Sequence, residues 1–406
     1  MASLSLDRGR LMAHICVVRQ GYAFNDPRVR RELRALLDAG HSVDVICTRG
    51  ETEAAPDRDP NDRLTVHRLP MTHRRTGVAR YLFEYIAFPL MATACLIWLD
   101  RRRRFDVIQV NTLPDWLVFA AGGPRLRGVP VLLDLQECMP EFFATKFHTS
   151  PDHPGVRLLE FAERMSLRFA SAAITCTREM RDTFVARGTP SHRIGVVMNG
   201  ADESTFDPAR YPPRDRQEGR FSLIHHGTIV EHAGLDTIIR AVDRLRGRIP
   251  GLTLEVYGDG AYQAELQRMV DELELHRQVT FHGFVQIEDL VAAIAEADAG
   301  VVAMKRDAFR DLTLCNKMFD LITMQRPVIC SRTKSTMACF PNGSLKYFES
   351  GDDADLARAI EELYADPGQS HKLVQSATER NEPYRWPHQR ERYMAVIDGL
   401  LEARPR

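Results

Sequence analysis

Short apolar runs alternate with amphipathic stretches along most of this chain. Runs at 14–19, 42–48, 106–111, 129–134, 172–176 and 194–198 are nearly continuous in apolar residues, which predicts strands buried on both faces. Between them, 28–39 carries apolar residues at helical spacing and stops at Gly40, and 116–122 predicts a short helix. A second round begins at Phe221, with strands at 221–225, 252–257, 279–282, 299–304 and 327–331, and helices at 234–246, 262–275, 288–296 and 353–365. Such alternation predicts an α/β fold: two Rossmann-like domains, each a parallel sheet covered by helices. The polar, proline-containing stretch 202–220 separates the rounds. The expected division is 1–203, 204–385 and a closing segment 386–406, whose helix at 389–402 packs back toward the first domain. Ligands of open α/β sheets bind at the carboxyl ends of the strands, so a cleft between those ends is the expected site.

Composition narrows the class. At 406 residues the chain exceeds one compact core. A net charge of −1 argues against nucleic acid as a partner. Eight cysteines are scattered with no C-x-x-C pair, several inside strand-like runs. They read as small buried hydrophobes in a reducing cytoplasm, with no disulfide framework and no metal set. The first fourteen residues hold no signal-type apolar core. The segment 81–104 is the one with a membrane signal: a long apolar stretch interrupted by Glu84 and Pro89, then Arg101–Arg104. A spanning helix would split the first layered domain. A buried helix, or a surface helix in peripheral contact with the inner face of the plasma membrane, is expected instead.

The stretch 311–332, DLTLCNKMFDLITMQRPVICSR, carries the most chemistry. Asn316 and Lys317 open a short helix, where free N–H groups and the macrodipole favour a phosphate and Lys317 adds a charge. Asp320 falls on the same helix face as Asn316. A carboxylate beside a phosphate site suits sugar hydroxyls, so the pattern points to a nucleotide. An ordinary amphipathic helix after a loop is the plainer reading.

Ordered landmarks extend this reading. They are DVIQVN at 106–111 with Pro114-Asp115, Leu133-Asp134 with Met139-Pro140-Glu141, NGAD at 199–202, and Gly227 with Gly234-Leu235-Asp236. YGDG at 257–260, Phe281-His282-Gly283, and Asn316-Lys317 with Phe319-Asp320 before Arg326-Pro327 follow. In this order and spacing the chain resembles a family-4-like retaining glycosyltransferase of the GT-B fold, over nearly its whole length. The resemblance implies transfer of a sugar from a nucleotide-diphosphate sugar to an acceptor, with no cofactor and no metal. It places Asp320 on ribose hydroxyls, Asn316 and Lys317 beside the diphosphate, Gly227 and Gly258 on loops approaching it, and Phe284-Val285 at the base. The acceptor, a glycan, lipid-linked precursor or small metabolite, is assigned to the N-terminal domain, with Asn25, Asp26 and Glu141 bordering it. Asn25-Asp26-Pro27 is equally turn and N-cap chemistry, and Glu141 equally a first-turn helix residue.

The departures from the family pattern are specific. Its loop cations fall here at Thr228 and Ala233, leaving Lys305, Arg306, Arg310 and Lys317 as replacements. Asp311 stands one residue off the spacing of the family's first acid. Gln136 stands where the family carries a histidine, and glutamine is no general base. Gln136 is therefore expected on the donor sugar and Glu137 near the acceptor. His225 and His226 read as loop packing. Two other readings stay open: a nucleotide-sugar epimerase on the same architecture, and a non-catalytic nucleotide-sugar binder.

Overall fold

The structure is a computed structural model and describes residues 12–49, 63–72, 78–214, 216–217 and 219–403. The side chains of Asn25 and of residues 72–82 lie outside that description, as does the N-terminal stretch to residue 11. Two compact units emerge, Met1–Met198 with Gln389–Arg406, and Asn199–His388. The first boundary thus falls ahead of the polar stretch 202–220.

In chain order the first unit contains β1 (His14–Arg19), α1 (Pro27–Asp38), β2 (Ser42–Arg49), β3 (Leu64–Thr72), α2 (Val78–Arg103), β4 (Val107–Asn111), α3 (Gly122–Leu126), β5 (Val131–Leu135), α4 (Met139–Lys146), α5 (Pro154–Phe169), β6 (Ala172–Thr175), α6 (Arg178–Ala186) and β7 (Ile194–Val196). Its seven strands are all parallel, in the order β3-β2-β1-β4-β5-β6-β7. The second unit contains β8 (Phe221–His226), α7 (Leu235–Leu245), β9 (Leu252–Tyr257), α8 (Gln263–Glu272), β10 (Val279–Gly283), α9 (Ile287–Glu296), β11 (Ala299–Val302), α10 (Asn316–Thr323), β12 (Val328–Ser331), α11 (Lys334–Cys339), β13 (Lys346–Phe348), α12 (Asp353–Ala365) and α13 (Pro367–Asn381). Its six strands are parallel in the order β10-β9-β8-β11-β12-β13. The strands predicted from apolar runs are present. β4, β5, β11 and β12 are buried at every position, as strands covered on both faces must be.

Sequence pattern passed over β3, β13, α4, α5, α6, α11 and α13. β13 has only three residues, and α5 exposes Leu158, Phe161 and Met165, which blurs its periodicity. The helix predicted at 116–122 is a 3-10 segment, Asp115–Ala121, running into α3. The strand predicted at 299–304 ends at Val302.

The chain closes with α14 (Trp386–Glu402), whose residues from Gln389 onward belong to the first unit. There Gln389 Oε1 accepts from the Met198 N–H at 2.8 Å, and the Tyr393 hydroxyl donates to Gln109 Oε1 at 2.6 Å, all buried.

Strand order reverses between β1 and β4 in one sheet and between β8 and β11 in the other. A crevice opens at such a switch point. In the second unit the loops after β8 and β11 meet there, with the Lys305 N–H donating to the His232 carbonyl at 2.9 Å. The core beneath is made by Leu235, Ile238, Ile239 and Val242 of α7 with Leu254, Val301, Leu356 and Ile360. Gly234 makes the loop-to-helix junction possible. It sits at φ +71°, and a Cβ on it would lie 1.8 Å from the Ala303 carbonyl oxygen. The left-handed conformation alone costs a non-glycine residue about 1–2 kcal/mol. Gly234→Ala is therefore expected to lower the thermal midpoint by roughly 4–8 °C for a loss of ~2 kcal/mol. Gly247→Ala, with nothing within 4 Å of its Cβ, serves as the control. Equal melting of the two variants would show that this close approach is not a constraint.

Candidate functional site

β8 ends in His225-His226, and the groups around this pair define a site in the second unit. Gly227 follows at φ +98°, and a Cβ there would fall 2.6 Å from Lys317 Cε. The glycine thus leaves the space that the lysine stem fills. Lys317 lies in the first turn of α10, whose N-cap residue Cys315 offers no side-chain hydrogen bond to the helix N–H groups. Lys317 Nζ stands 3.1 Å from His225 Nε2, and His225 Nδ1 stands 2.9 Å from the Val301 carbonyl. The Nδ1–H donates to that carbonyl, so Nε2 is the acceptor for the ammonium. Burial, and then the Lys317 charge, push His225 well below the usual histidine range, which keeps it neutral. The same two causes bring His226 down to about 3. Burial also lowers Lys317, against the opposing influence of Cys315 and Asp320.

Asp320 follows on α10 with its carboxylate 3.9 Å from His226 Nε2, and that nitrogen has no hydrogen-bond partner among the described residues. Nearby, His232 is lowered to about 4 by burial and then by Arg310, with Lys317 and Lys305 adding to the effect and Asp307 opposing it. Three cations therefore act on one imidazole. Two neighbouring positive side chains are neutralised locally: Lys305 Nζ lies 2.9 Å from Asp236, and Arg306 Nε 2.9 Å from Asp311. The loop ends are laced backbone to backbone. The Gly227 N–H donates to Tyr257 and the Gly258 N–H to Gly283, both at 2.8 Å. A Cβ on Gly258 would lie 2.2 Å from the Gly227 carbonyl oxygen. Beyond β10, Phe284 is 85% exposed, an unusual state for a large aromatic side chain.

In the first unit a buried polar network lies at the carboxyl ends of β1, β4 and β5. Arg28 donates to Glu32 at 3.1 Å and also reaches Asp134 and Cys176. Asn111 donates to Asp134 at 2.6 Å and to Glu32 at 3.3 Å, and Gln109 donates to Glu32 at 2.7 Å. Burial, followed by each other's charge for Glu32 and opposed by Arg28 for both, raises Glu32 and Asp134. Gln136 sits on top of this network. Its Oε1 accepts from Arg19 at 3.0 Å and its Nε2 donates to Asp134 at 3.3 Å. A second cluster gathers Glu141, Glu160 and Glu163 around Arg187, and burial raises Glu163 to about 7. Asp115 beside it is pushed well above the carboxylate range by burial, then by Glu163 and Glu137.

Comparison with known proteins decides the family. A model described as "Glycosyl transferase 4-like domain" matches residues 26–200, and one described as "Glycosyl transferases group 1" matches residues 220–366. The chain belongs to the family-4-like glycosyltransferases of the GT-B fold. Glycogen synthase of Mycobacterium tuberculosis is 25% identical over 367 residues, 85% of this chain and 83% of its own. Among solved structures, sucrose-phosphate synthase from Thermosynechococcus elongatus superposes with a TM-score of 0.74 at 18% identity, covering 96% of this chain and all of that one. The Anabaena protein HepE, solved in complex with UDP, gives 0.70 at 15% identity, covering 95% and 99%.

The expected residues of this glycosyltransferase fall into two groups, each within one unit. Gly227, Gly258, Asn316, Lys317 and Asp320 stand at the switch point of the second sheet, with Thr228 exposed beside them and Phe284-Val285 after β10. Lys305 and Asp311 do not stand free there. Lys305 serves Asp236, and Asp311 accepts from Arg306 and from the Lys334 N–H at 2.9 Å, which ties it to the start of α11. The one-residue offset in spacing thus has a structural counterpart. In the first unit Asp26 caps α1, accepting the Arg28 N–H at 2.9 Å, and pairs with Arg19. Glu141 pairs with Arg187, and Glu137 adds to the charge felt by Asp115. Asn25 contributes its backbone to a 3-10 turn, Ala23–Asn25. His225 and His226, read from sequence as loop packing, are the residues that pattern underrated. A histidine pair at the end of a strand gives no hint of a lysine ninety residues later.

These shifts have opposite signs in the two units. A buried neutral histidine is protonated in the unfolded chain first, so stability from His226 and His232 is present above about pH 6.5 and is lost as pH falls toward 4 and 3. Glu163, raised from 4.5 to about 7, stabilises below its unfolded value, and that contribution is lost as pH rises through 7. Hydrogen exchange followed by peptide mass analysis is expected to show β8 losing protection between pH 6.5 and 4.5 while α5 gains it. Parallel changes in both peptides would refute the assignment.

Proposed function

We propose that this glycosyltransferase takes its sugar from a nucleotide-diphosphate sugar, retains the anomeric configuration and needs no metal ion. The observation that carries the reading is Lys317 held over Gly227 against a neutral histidine at the open start of α10. A diphosphate seated there meets helix N–H groups, the ammonium and the field of Arg310. Asp320 and His226 Nε2, 3.9 Å apart, suit the vicinal hydroxyls of a ribose, and exposed Phe284 suits a base. HepE, with a similar fold, is described in complex with UDP and with UDP-glucose, which supports a donor of this class.

In the proposed step the bond from the anomeric carbon to the leaving phosphate oxygen breaks. The acceptor oxygen bonds to the same face, and its proton passes to the departing phosphate. Such a step requires no titratable group at 136. Gln136 has its amide fixed at both ends, by Arg19 and Asp134. The proposed reaction works at the cytoplasmic side, on a glycan, lipid-linked precursor or small metabolite.

The test is a panel of nucleotide-diphosphate sugars with thermal-shift and turnover readouts, with and without chelator. Wild type is expected to be stabilised by one nucleoside diphosphate and to keep its activity in EDTA. Lys317→Ala is expected to lower kcat by about 10²–10³-fold, the scale of losing one electrostatic contact to the leaving group. Asp320→Asn is expected mainly to raise the donor KM. An isomerised donor would replace this reading with an epimerase. Binding without turnover in the presence of any acceptor would leave a nucleotide-sugar binder, and no shift with any diphosphate would remove the donor altogether.

A further inference from the structure

Among the described residues one helix, α2 of the first unit, is long and apolar enough to cross a membrane by length and composition. Its packing excludes that orientation. Glu84, Tyr85, Phe88, Ala92, Leu96, Leu99 and Asp100 are buried along one face, and the Trp116 indole donates to the Tyr85 carbonyl at 3.3 Å. The opposite face is open. Phe83, Ile86, Leu90 and Trp98 are 64%, 54%, 67% and 49% exposed, and Ala94 continues the row. This stripe runs about 22 Å at 1.5 Å per residue. It ends at Arg101–Arg104, with the Arg102 guanidinium 4.0 Å over the Trp98 ring.

A second stripe adjoins it. On α5, Leu158, Phe161 and Met165 are 67%, 56% and 37% exposed at i, i+3 and i+7. The segment Asp115–Ala121 packs against both helices. Trp116 meets Tyr85 of α2, and half-exposed Phe119 meets Phe169 of α5 with ring centroids 5.1 Å apart. Among the described residues the exposed charged side chains of the two helices are arginines, one of which, Arg157, pairs with exposed Asp152 just ahead of α5 at 3.2 Å. Arg157, Arg164 and Arg168 of α5 and Arg101–Arg103 of α2 are exposed. The acidic residues of these two helices are turned away: Glu84, Asp100 and Glu163 are buried, and Glu160 is half-buried against Arg187. Charge over the whole chain follows the same division. The first unit has 32 Lys and Arg against 25 Asp and Glu, a balance of +7, and the second has 22 against 30, a balance of −8.

We propose that the α2–α5 face is a membrane-docking surface that lies in the interfacial plane of an anionic bilayer. An apolar row flanked by arginines, with a tryptophan where apolar meets basic, is the chemistry that enters a headgroup layer without crossing it. A cavity of about 510 Å³ at the basic end, lined by Thr65, His67, Trp98, Arg102 and Arg103, offers room for a phosphate headgroup. A soluble protein partner would need acidic complements to the arginines as well as an apolar face. The bilayer supplies both without specific shape, which fits two separate helices presenting the same pattern.

The experiment is co-sedimentation of the full chain with phosphatidylcholine vesicles, with and without phosphatidylglycerol. Binding is expected with phosphatidylglycerol and is expected to weaken at least ten-fold without it or in high salt. Leu90→Glu and Phe161→Glu, both at exposed positions, are each expected to lower partitioning at least ten-fold while melting with wild type. Arg102→Glu with Arg104→Glu is expected to remove the dependence on lipid charge. Failure to bind either vesicle, or unchanged binding by Leu90→Glu and Phe161→Glu, overturns the proposal. So does a wild-type dimer that Leu90→Glu disperses in the absence of vesicle binding, which would assign the face to a second copy.

Discussion

The pairing of Lys317 with a neutral histidine is the constraint on which the candidate site depends. A cation next to a carboxylate is neutralised locally, as Lys305 is beside Asp236 and Arg306 beside Asp311. His225 offers Lys317 a lone pair and no countercharge. The hydrogen bond orients the ammonium while its field remains available to an incoming anion. Everything around it serves that arrangement. Val301 fixes the tautomer, Gly227 yields the space for the stem, and Gly300, whose Cβ would meet Leu321 at 2.2 Å, lets α10 settle onto β11. Burial then depresses His225 and His226, so both imidazoles stay neutral at neutral pH and neither repels the Lys317 ammonium.

The first unit solves a different problem. Its buried charges are compensated internally: Arg28 between Glu32 and Asp134, Arg187 between Glu141 and Glu163. Such networks specify one arrangement of the strand ends and leave little net field. The group they present is an amide. Gln136 is held at both ends, by Arg19 and by Asp134, so it arrives oriented and uncharged. An amide so held can orient a hydrogen-bonding ligand, where proton transfer would need a titratable side chain.

The repeating α/β pattern was legible because fully buried parallel strands print themselves as apolar runs, and β4, β5, β11 and β12 did so. Asn316, Lys317 and Asp320 were legible because they share one short helix and local spacing fixes their relation. The contribution of His225 and His226 was not, since it rests on contacts ninety residues apart. Asp311 and Asp26 looked available in sequence because a carboxylate's partners are set by the fold. One ties down the start of α11 and the other caps α1. α5 escaped notice for a related reason. Its exposed Leu158, Phe161 and Met165 offset the usual contrast between an inner apolar face and an outer polar one.

Net charge was the least informative whole-chain property. A value of −1 describes a chain whose two units carry opposite surpluses. In the second unit the acidic majority makes a local positive site stand out. Lys305 and Arg306 there are paired with carboxylates, so the field of Lys317 and Arg310 at the start of α10 is a feature of placement more than of number. In the first unit arginines border two apolar helix faces, and the acids of those helices are buried or half-buried. An arginine rim can hold an anionic surface only if the apolar row beside it can enter that surface, because attraction screened over about 8 Å at physiological salt is weak at any greater distance. In the proposed docking the stripe supplies insertion and the rim supplies the preference for anionic lipid, so the two act together.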